Sequence, residues 1–486
     1  MACQPFIRGF GGSGAGYIRR MLGPGHRHAL ALSVCVLLAA CAQAPEYRRP
    51  AVELPDRWTV AAAEDAPAAR QVDWREFFAD PRLRRLIGAA LDNNRDMRQA
   101  VARVEEARAQ FGVIEAERLP TINTNFSRSA SRTPATLFNS RTDLKNQRYD
   151  LSLSMTSFEV DFWGRVASLN DAAKATFLAT EEARRALRIS LISDVANGYF
   201  ALLQYDEIID LYRRTVATRE RSRDLVVRAQ DAGAASRLEQ LQVDAALENA
   251  RAELAAFERQ RAISEHALNY LVGGQPGDLP MGLPIGDQRF DRAFSAGLPA
   301  EAILERPDVL AAEQRLIAAN ASIGVARAAF LPRIVLTAGL GIASPALAAL
   351  FAGSNDTWNF QPSLSAPLFD AGRTQGNVDL ATARKNIAVA DYEKTIQQAF
   401  RDISDLLAAQ GTLKRQVGSA QAVAGIQSAR VEAERARHQA GAVSLREVLD
   451  AEREAISARQ TLAQLQFAQL TVTTQLYKAL GGGTLE

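Results

Sequence analysis

One residue in this chain is placed for covalent chemistry. Cys41 follows Leu38-Ala39-Ala40, behind the apolar run Ala29–Ala40 and the basic pair Arg27-His28. A short basic region, a short apolar core and small residues at the cut describe a secretory signal. A thiol directly after the cut matches a bacterial lipobox, so Cys41 is expected to become the acylated N-terminus. The twelve apolar residues before it are too few to span about 30 Å of hydrocarbon, which argues against a transmembrane anchor. Met21 would open a tighter signal than Met1, and Ala42 after the cysteine fits sorting to an outer membrane. Loss of residues 1–40 removes Arg8, Arg19, Arg20 and Arg27 and no acid, shifting the net charge from +2 to −2. Cys3 and Cys35 leave with it, so the mature chain has no intrachain disulfide to form.

Other reaction chemistry finds no residues to carry it. His266 and His438 are the histidines outside the signal, and both sit in helix-forming runs. No Gly-x-Ser-x-Gly elbow accompanies them. The glycines at 11–16 lie in the leader rather than at a strand end, so they do not cradle phosphate. Met97, Met155 and Met281 are too scattered for a soft-metal path. The expectation is a non-enzyme with no cofactor or metal. A net charge of +2 and 47% hydrophobic residues also speak against nucleic-acid binding and disorder.

The elements that remain are written twice. Asp96, Gly112, Val113, Ala116, Leu119 and Pro120 recur 212 residues later, from Asp308 to Pro332. Gly164-Arg165, Gly233, Ser236 and Gly273 recur 208 residues later as Gly372-Arg373, Gly441, Ser444 and Gly481. Two tandem repeats follow, at 81–273 and 299–486, joined by a Pro/Gly-rich linker at 274–298 and preceded by an extension at 41–80. The four-residue difference in spacing is expected in the polar loop Ser127–Asn146.

No proline occurs between Pro134 and Pro276 or after Pro367, so helices can run unbroken through 166–230 and 374–440. Each would reach about 100 Å at 1.5 Å per residue. Gly233 and Gly441 can take the left-handed cap at their ends. Ser236-Arg237-Leu238-Glu239 and Ser444-Leu445-Arg446-Glu447 then read as capping boxes opening return helices at 236–272 and 444–480. Four segments alternate with period two instead, at about 121–128, 149–162, 333–343 and 358–369. Each has nearly the length of a membrane β-strand, apolar on one face and polar on the other. Four strands leave open edges, which lipid does not tolerate, so the chain must oligomerise: two copies give eight strands and a plugged barrel, three give twelve and a pore.

These residues resemble the outer membrane factors of the TolC/OprM type, in their lipoprotein (NodT-like) branch. The matching segments are Trp74–Phe78, Phe158–Arg165, Glu305–Pro332, Pro367–Arg373 and Tyr477–Gly483. The resemblance implies a mainly α-helical homotrimer, with a 12-stranded outer-membrane β-barrel continuous with a periplasmic helical barrel. It implies the exit duct of a tripartite pump, with a periplasmic adaptor and an inner-membrane transporter of the resistance–nodulation–division type as partners. Gly233, Ser236, Gly441 and Ser444 would then be adaptor-docking tips, and Gly164, Arg165, Gly372 and Arg373 the strand-to-helix turns. The second repeat is the charged one near its tip. At the 208 offset Asp450 faces Gln242, Arg446 faces Leu238 and His438 faces Gln230. The resemblance makes Asp450 a candidate periplasmic gate, three-fold repeated in a trimer, and the charge contrast adds Arg446 and His438, where the family often has a hydrophobe and a tyrosine. Two alternatives stand beside this reading: a type I protein-secretion channel, and a helical periplasmic scaffold lipoprotein without a pore.

Overall fold

The computed structural model describes residues 44–52, 73–137, 141–290 and 300–482. The signal, the start site and Cys41 lie outside the described residues. In chain order the elements are α1 (Trp74–Phe77), α2 (Pro81–Asn93), α3 (Arg95–Ala116), β1 (Ile122–Thr133), β2 (Leu144–Glu159), α4 (Arg165–Asp231) and α5 (Arg237–Val272). The second half repeats the pattern with α6 (Pro307–Ala328), β3 (Arg333–Ser344), β4 (Asp356–Ser365), α7 (Arg373–Gln439) and α8 (Leu445–Ala479). The two long helices, α4 and α7, are each 67 residues and continuous. Their proline-free, Ala- and Arg-rich composition permits that length.

The described residues form two compact units, and each draws on both repeats. One holds 44–47, 113–172 and 319–384; the other holds 48–112, 173–318 and 385–482. Compactness therefore does not follow the sequence duplication.

The first unit contains one antiparallel sheet in the order β1-β2-β3-β4. Its register places one apolar row across three strands at Phe126, Leu151 and Ile342. The next row is Thr124, Leu153, Leu340 and Trp358. The opposite face carries Asn123, Ser154, Gly339 and Asn359 in one row and Asn125, Ser152, Gly341 and Thr357 in another. Between Met155 and Phe158 the register of β2 shifts, with Ser157 at φ 55°. The extra residue of this bulge puts Phe158 opposite Leu336, back on the apolar face, and Glu159 opposite Val335.

Three expectations change here. The polar stretch 127–146 is not a loop: β1 continues to Thr133, β2 begins at Leu144, and 134–143 alone connects them. The ladder runs on from Ser127 opposite Asp150 to Thr133 opposite Leu144, held by backbone bonds that need no apolar alternation in the side chains. The length difference between repeats lies mainly in β2, 16 residues against 10 in β4. The strands also end earlier than expected at the helix side, at Glu159 and Ser365.

The second unit has an aromatic core. Phe77 stacks on Tyr477 at 4.4 Å and on Phe290 at 4.9 Å, and Phe78 meets Phe77 edge-on at 4.8 Å. Trp74, Phe77, Phe78 and Tyr477 are all buried. Burying aromatics of this size contributes roughly 1.5–3 kcal/mol each. Residues from before the first repeat (Phe77, Phe78), from the linker (Phe290) and from the last helix (Tyr477) thus share one core. Gly482 packs so tightly on the Tyr477 ring that no Cβ fits.

Beneath this core Asp80 caps α2, its carboxylate accepting from the Arg82 and Leu83 amides. It also accepts from the Tyr199 hydroxyl at 2.9 Å, the Leu283 amide at 2.9 Å and Gln288 Nε2 at 2.7 Å. Burial by itself would raise the Asp80 carboxyl, but the bonds from Gln288, Leu283, Tyr199 and Arg82 hold it below its usual value. Burial and the bond to Asp80 push Tyr199 up.

Candidate functional site

The two strand-to-helix turns are built alike in backbone and differently in charge. Gly164 and Gly372 take φ 73° and 85°. Asp161 accepts from the Ala167 amide, and Asp370 accepts from the Gly372 and Thr374 amides. Asp370 lies below its usual pKa, through the Thr374 side chain and amide first. In the first turn Arg165 holds Glu159 through two bonds of 2.7 and 2.9 Å, and Arg333 at the start of β3 reaches the same carboxylate at 2.6 Å. Trp163 Nε1 donates to the Pro332 carbonyl at 2.7 Å. Among the described residues Arg373 makes no such two-bond ion pair, and Pro367 stands where the first repeat has Glu159.

The long motif Glu305–Pro332 works as an anchor. Arg306 grips Asp308 at 2.7 and 3.0 Å and donates to the Ala479 carbonyl at 2.8 Å. Glu313 receives both arms of Arg49 at 2.7 and 2.8 Å. In the other unit Asn320 Nδ2 donates to the Pro45 carbonyl at 2.7 Å. Both contacts fasten described residues of the N-terminal extension.

The hairpin tips at α4–α5 and α7–α8 share one backbone motif. Gly233 and Gly441 sit at φ 76° and 72°. Ala234 donates to the Ala229 carbonyl and Gly233 to that of Gln230; Ala442 and Gly441 repeat this with Arg437 and His438. These are the paired bonds of a left-handed helix stop. The expected capping boxes diverge. At Ser236 the box is complete, with the hydroxyl accepting from the Glu239 amide and Glu239 accepting from the Ser236 amide. At Ser444 it is absent, since no side-chain cap bond forms. The Glu447 amide donates instead to the Ser444 carbonyl, at 3.2 Å.

The three candidate gate residues do not gather in one place. Asp450 and Arg446 are together, 3.8 Å apart on one helix face. His438 is separate: its Nδ1 lies 3.0 Å from the Val443 carbonyl and serves the tip. Asp450 has a closer partner that the sequence reading missed, Arg453, at 3.2 Å. The i,i+3 spacing was its visible signal. These side chains border a groove of about 640 Å³ that α4 and α5 also line, with Tyr212, Arg219, Gln242 and Glu253. Arg219, also missed, reaches the Ala246 carbonyl, and burial lowers its pKa. No group of histidines, cysteines or acids fit for a metal occurs among the described residues.

The outer membrane efflux protein family model matches residues 86–274 and 298–482, one span per repeat. The toluene efflux pump outer membrane protein TtgI of Pseudomonas putida is 38% identical over 461 residues, covering 93% of this chain and 98% of that protein. The cation efflux system protein CusC of Escherichia coli gives the same identity, 38% over 461 residues, with the same coverage of 93% and 98%. Among solved structures, the open state of the MtrE outer membrane channel of Neisseria gonorrhoeae superposes with a TM-score of 0.85 at 33% identity. That match covers 91% of this chain and 99% of MtrE.

Proposed function

The chain belongs to the outer membrane efflux protein family, and from that premise we propose that it is the exit duct of a tripartite pump driven by a resistance–nodulation–division transporter. It is an outer-membrane efflux component with a periplasmic portion. The observation that carries the finer reading is the sheet. Four antiparallel strands end in two unpaired edges, β1 and β4, on an element with one apolar face. An even strand number lets β4 of one copy meet β1 of the next in antiparallel sense, so three copies close twelve strands without an edge. The polar face, Asn, Ser, Thr and Gly, then lines water. Nothing in such a wall selects cargo, in keeping with relatives named for toluene and for cations.

In this reading Cys41 carries the lipid, the Gly233 and Gly441 tips meet the periplasmic adaptor, and Asp450 narrows the periplasmic entrance. Purified protein in a planar bilayer should give discrete single-channel steps, and photocrosslinkers at the two tips should capture the adaptor. Absence of steps from intact oligomers would favour the scaffold alternative. Adaptor crosslinks confined to the 134–143 hairpin end would reverse the orientation.

A further inference from the structure

The lipid-facing side of the β1–β2 hairpin continues past its apolar band into a basic patch. Between Ile334 and Ile342 the apolar rows extend eight residues, about 27 Å along the strand, or about 19–22 Å of height at the tilt of a membrane barrel, most of its apolar band. Ladder pairing without a bulge carries the same face onward to Arg128 opposite Tyr149 and Arg132 opposite Lys145. Arg128 and Tyr149 stand about 7 Å beyond the last apolar row, and Lys145 about 20 Å beyond it. The Arg128 guanidinium lies 5.6 Å over the Tyr149 ring. Arg141 adds a further exposed cation in the connection. The acid on this part of the hairpin face is Asp143, which Arg132 neutralises, and the Arg148–Asp150 pair points to the other face. The second hairpin offers no counterpart: residues 345–355 contain no lysine or arginine.

We propose that Arg128, Arg141 and Lys145 bind the phosphate headgroup of an anionic lipid in the outer leaflet. The inference rests on the barrel reading above, which turns this face to lipid. Two observations fix the occupant. The patch is continuous with the apolar band, so a ligand there has acyl chains below and its charge above. The patch is positive, and its aromatic neighbour occupies the depth of an interfacial girdle. Each cation beside an anionic lipid surface is worth roughly fivefold in affinity.

The test uses the full chain purified in detergent and a diphosphorylated disaccharide lipid, read by native mass spectrometry. The triple variant Arg128→Gln/Arg141→Gln/Lys145→Gln leaves the Arg132–Asp143 pair intact. It should retain the lipid at least tenfold less well than the wild type. Arg148→Gln, on the opposite face, should bind as the wild type does. The phosphate-free form of the lipid should bind wild type and triple variant equally weakly, and millimolar inorganic phosphate should not compete. Equal retention by the triple variant, equal binding of the phosphate-free lipid, or displacement by inorganic phosphate would each overturn the proposal. Single-channel steps from the same samples keep the two readings apart. Conducting variants with undiminished lipid binding sink this inference alone, while a wild type that neither conducts nor oligomerises sinks the barrel.

Discussion

At the scale of single residues, two aspartates do opposite kinds of work. Asp450 is exposed enough, at 43%, that its ion pairs with Arg446 and Arg453 add under about 1 kcal/mol to stability. On the gate reading proposed above its effect would be electrostatic, since a three-fold ring of carboxylates at a narrow aqueous entrance would gather cations. Asp450→Ala should leave thermal stability within error, raise resting conductance and lower cation preference in bilayers. Unchanged conductance and selectivity with normal oligomers would remove Asp450 from the gate. Asp80, in contrast, is fully buried and accepts five hydrogen bonds. Asp80→Asn should cost about 2–4 kcal/mol, since it removes the charge that several donors converge on. The pH sign follows from a folded pKa held below the unfolded one. The stability Asp80 contributes is present above about pH 4 and is lost as pH falls through the lower folded value. A urea midpoint for the helical signal should therefore drop more steeply on acidification in the wild type than in Asp80→Asn. Parallel acid profiles would refute this.

At the scale of elements, the tips give a direct contrast. Ser236→Ala should destabilise its hairpin by about 1 kcal/mol, because a formed capping box is lost. Ser444→Ala should change little, because no box exists there. Equal losses would mean the two tips cap alike. Gly441→Val should strain the left-handed stop by about 1–2 kcal/mol and weaken adaptor crosslinking while oligomers still form. The long helices and the tip glycines were legible in the sequence because proline absence and a left-handed stop are local properties. Residues 127–133 were not, since Ser127–Thr133 carries no apolar alternation. The β2 bulge was hidden too: only pairing with β3 reveals that Phe158 needs an extra residue to regain the apolar face. Ser444 shows the limit of motif reading. Its Ser-x-x-Glu spacing is right, but the backbone bond from the Glu447 amide has taken the hydroxyl's role. Arg453 is legible in its i,i+3 spacing from Asp450, whereas the comparison between repeats singles out Arg446 and His438.

At the scale of the whole molecule, the repeats and the oligomer explain each other. One copy of the unit supplies two strands and one long hairpin, and the chain doubles both. The two copies are not equivalent. Glu159 ties β2, β3 and α4 together in the first repeat, while Pro367 occupies that position in the second. Cys41 should be acylated yet dispensable for assembly, since the closed barrel holds itself in the membrane. With a cleavable signal, Cys41→Ser should lose its lipid label and still reach the outer membrane as an oligomer. A soluble periplasmic product would contradict that. The central claim, that β4 of one copy joins β1 of the next until three copies close, is tested most directly by disulfide trapping across that edge. In the Cys41→Ser background, single cysteines at Asn123 or Asn125 on β1 are combined with ones at Thr357, Asn359 or Gln361 on β4 and oxidised in membranes. At the matching register, denaturing gels should show a covalent trimer and nothing larger. A ladder that stops at the dimer, or no crosslink at any register, would contradict the twelve-stranded barrel.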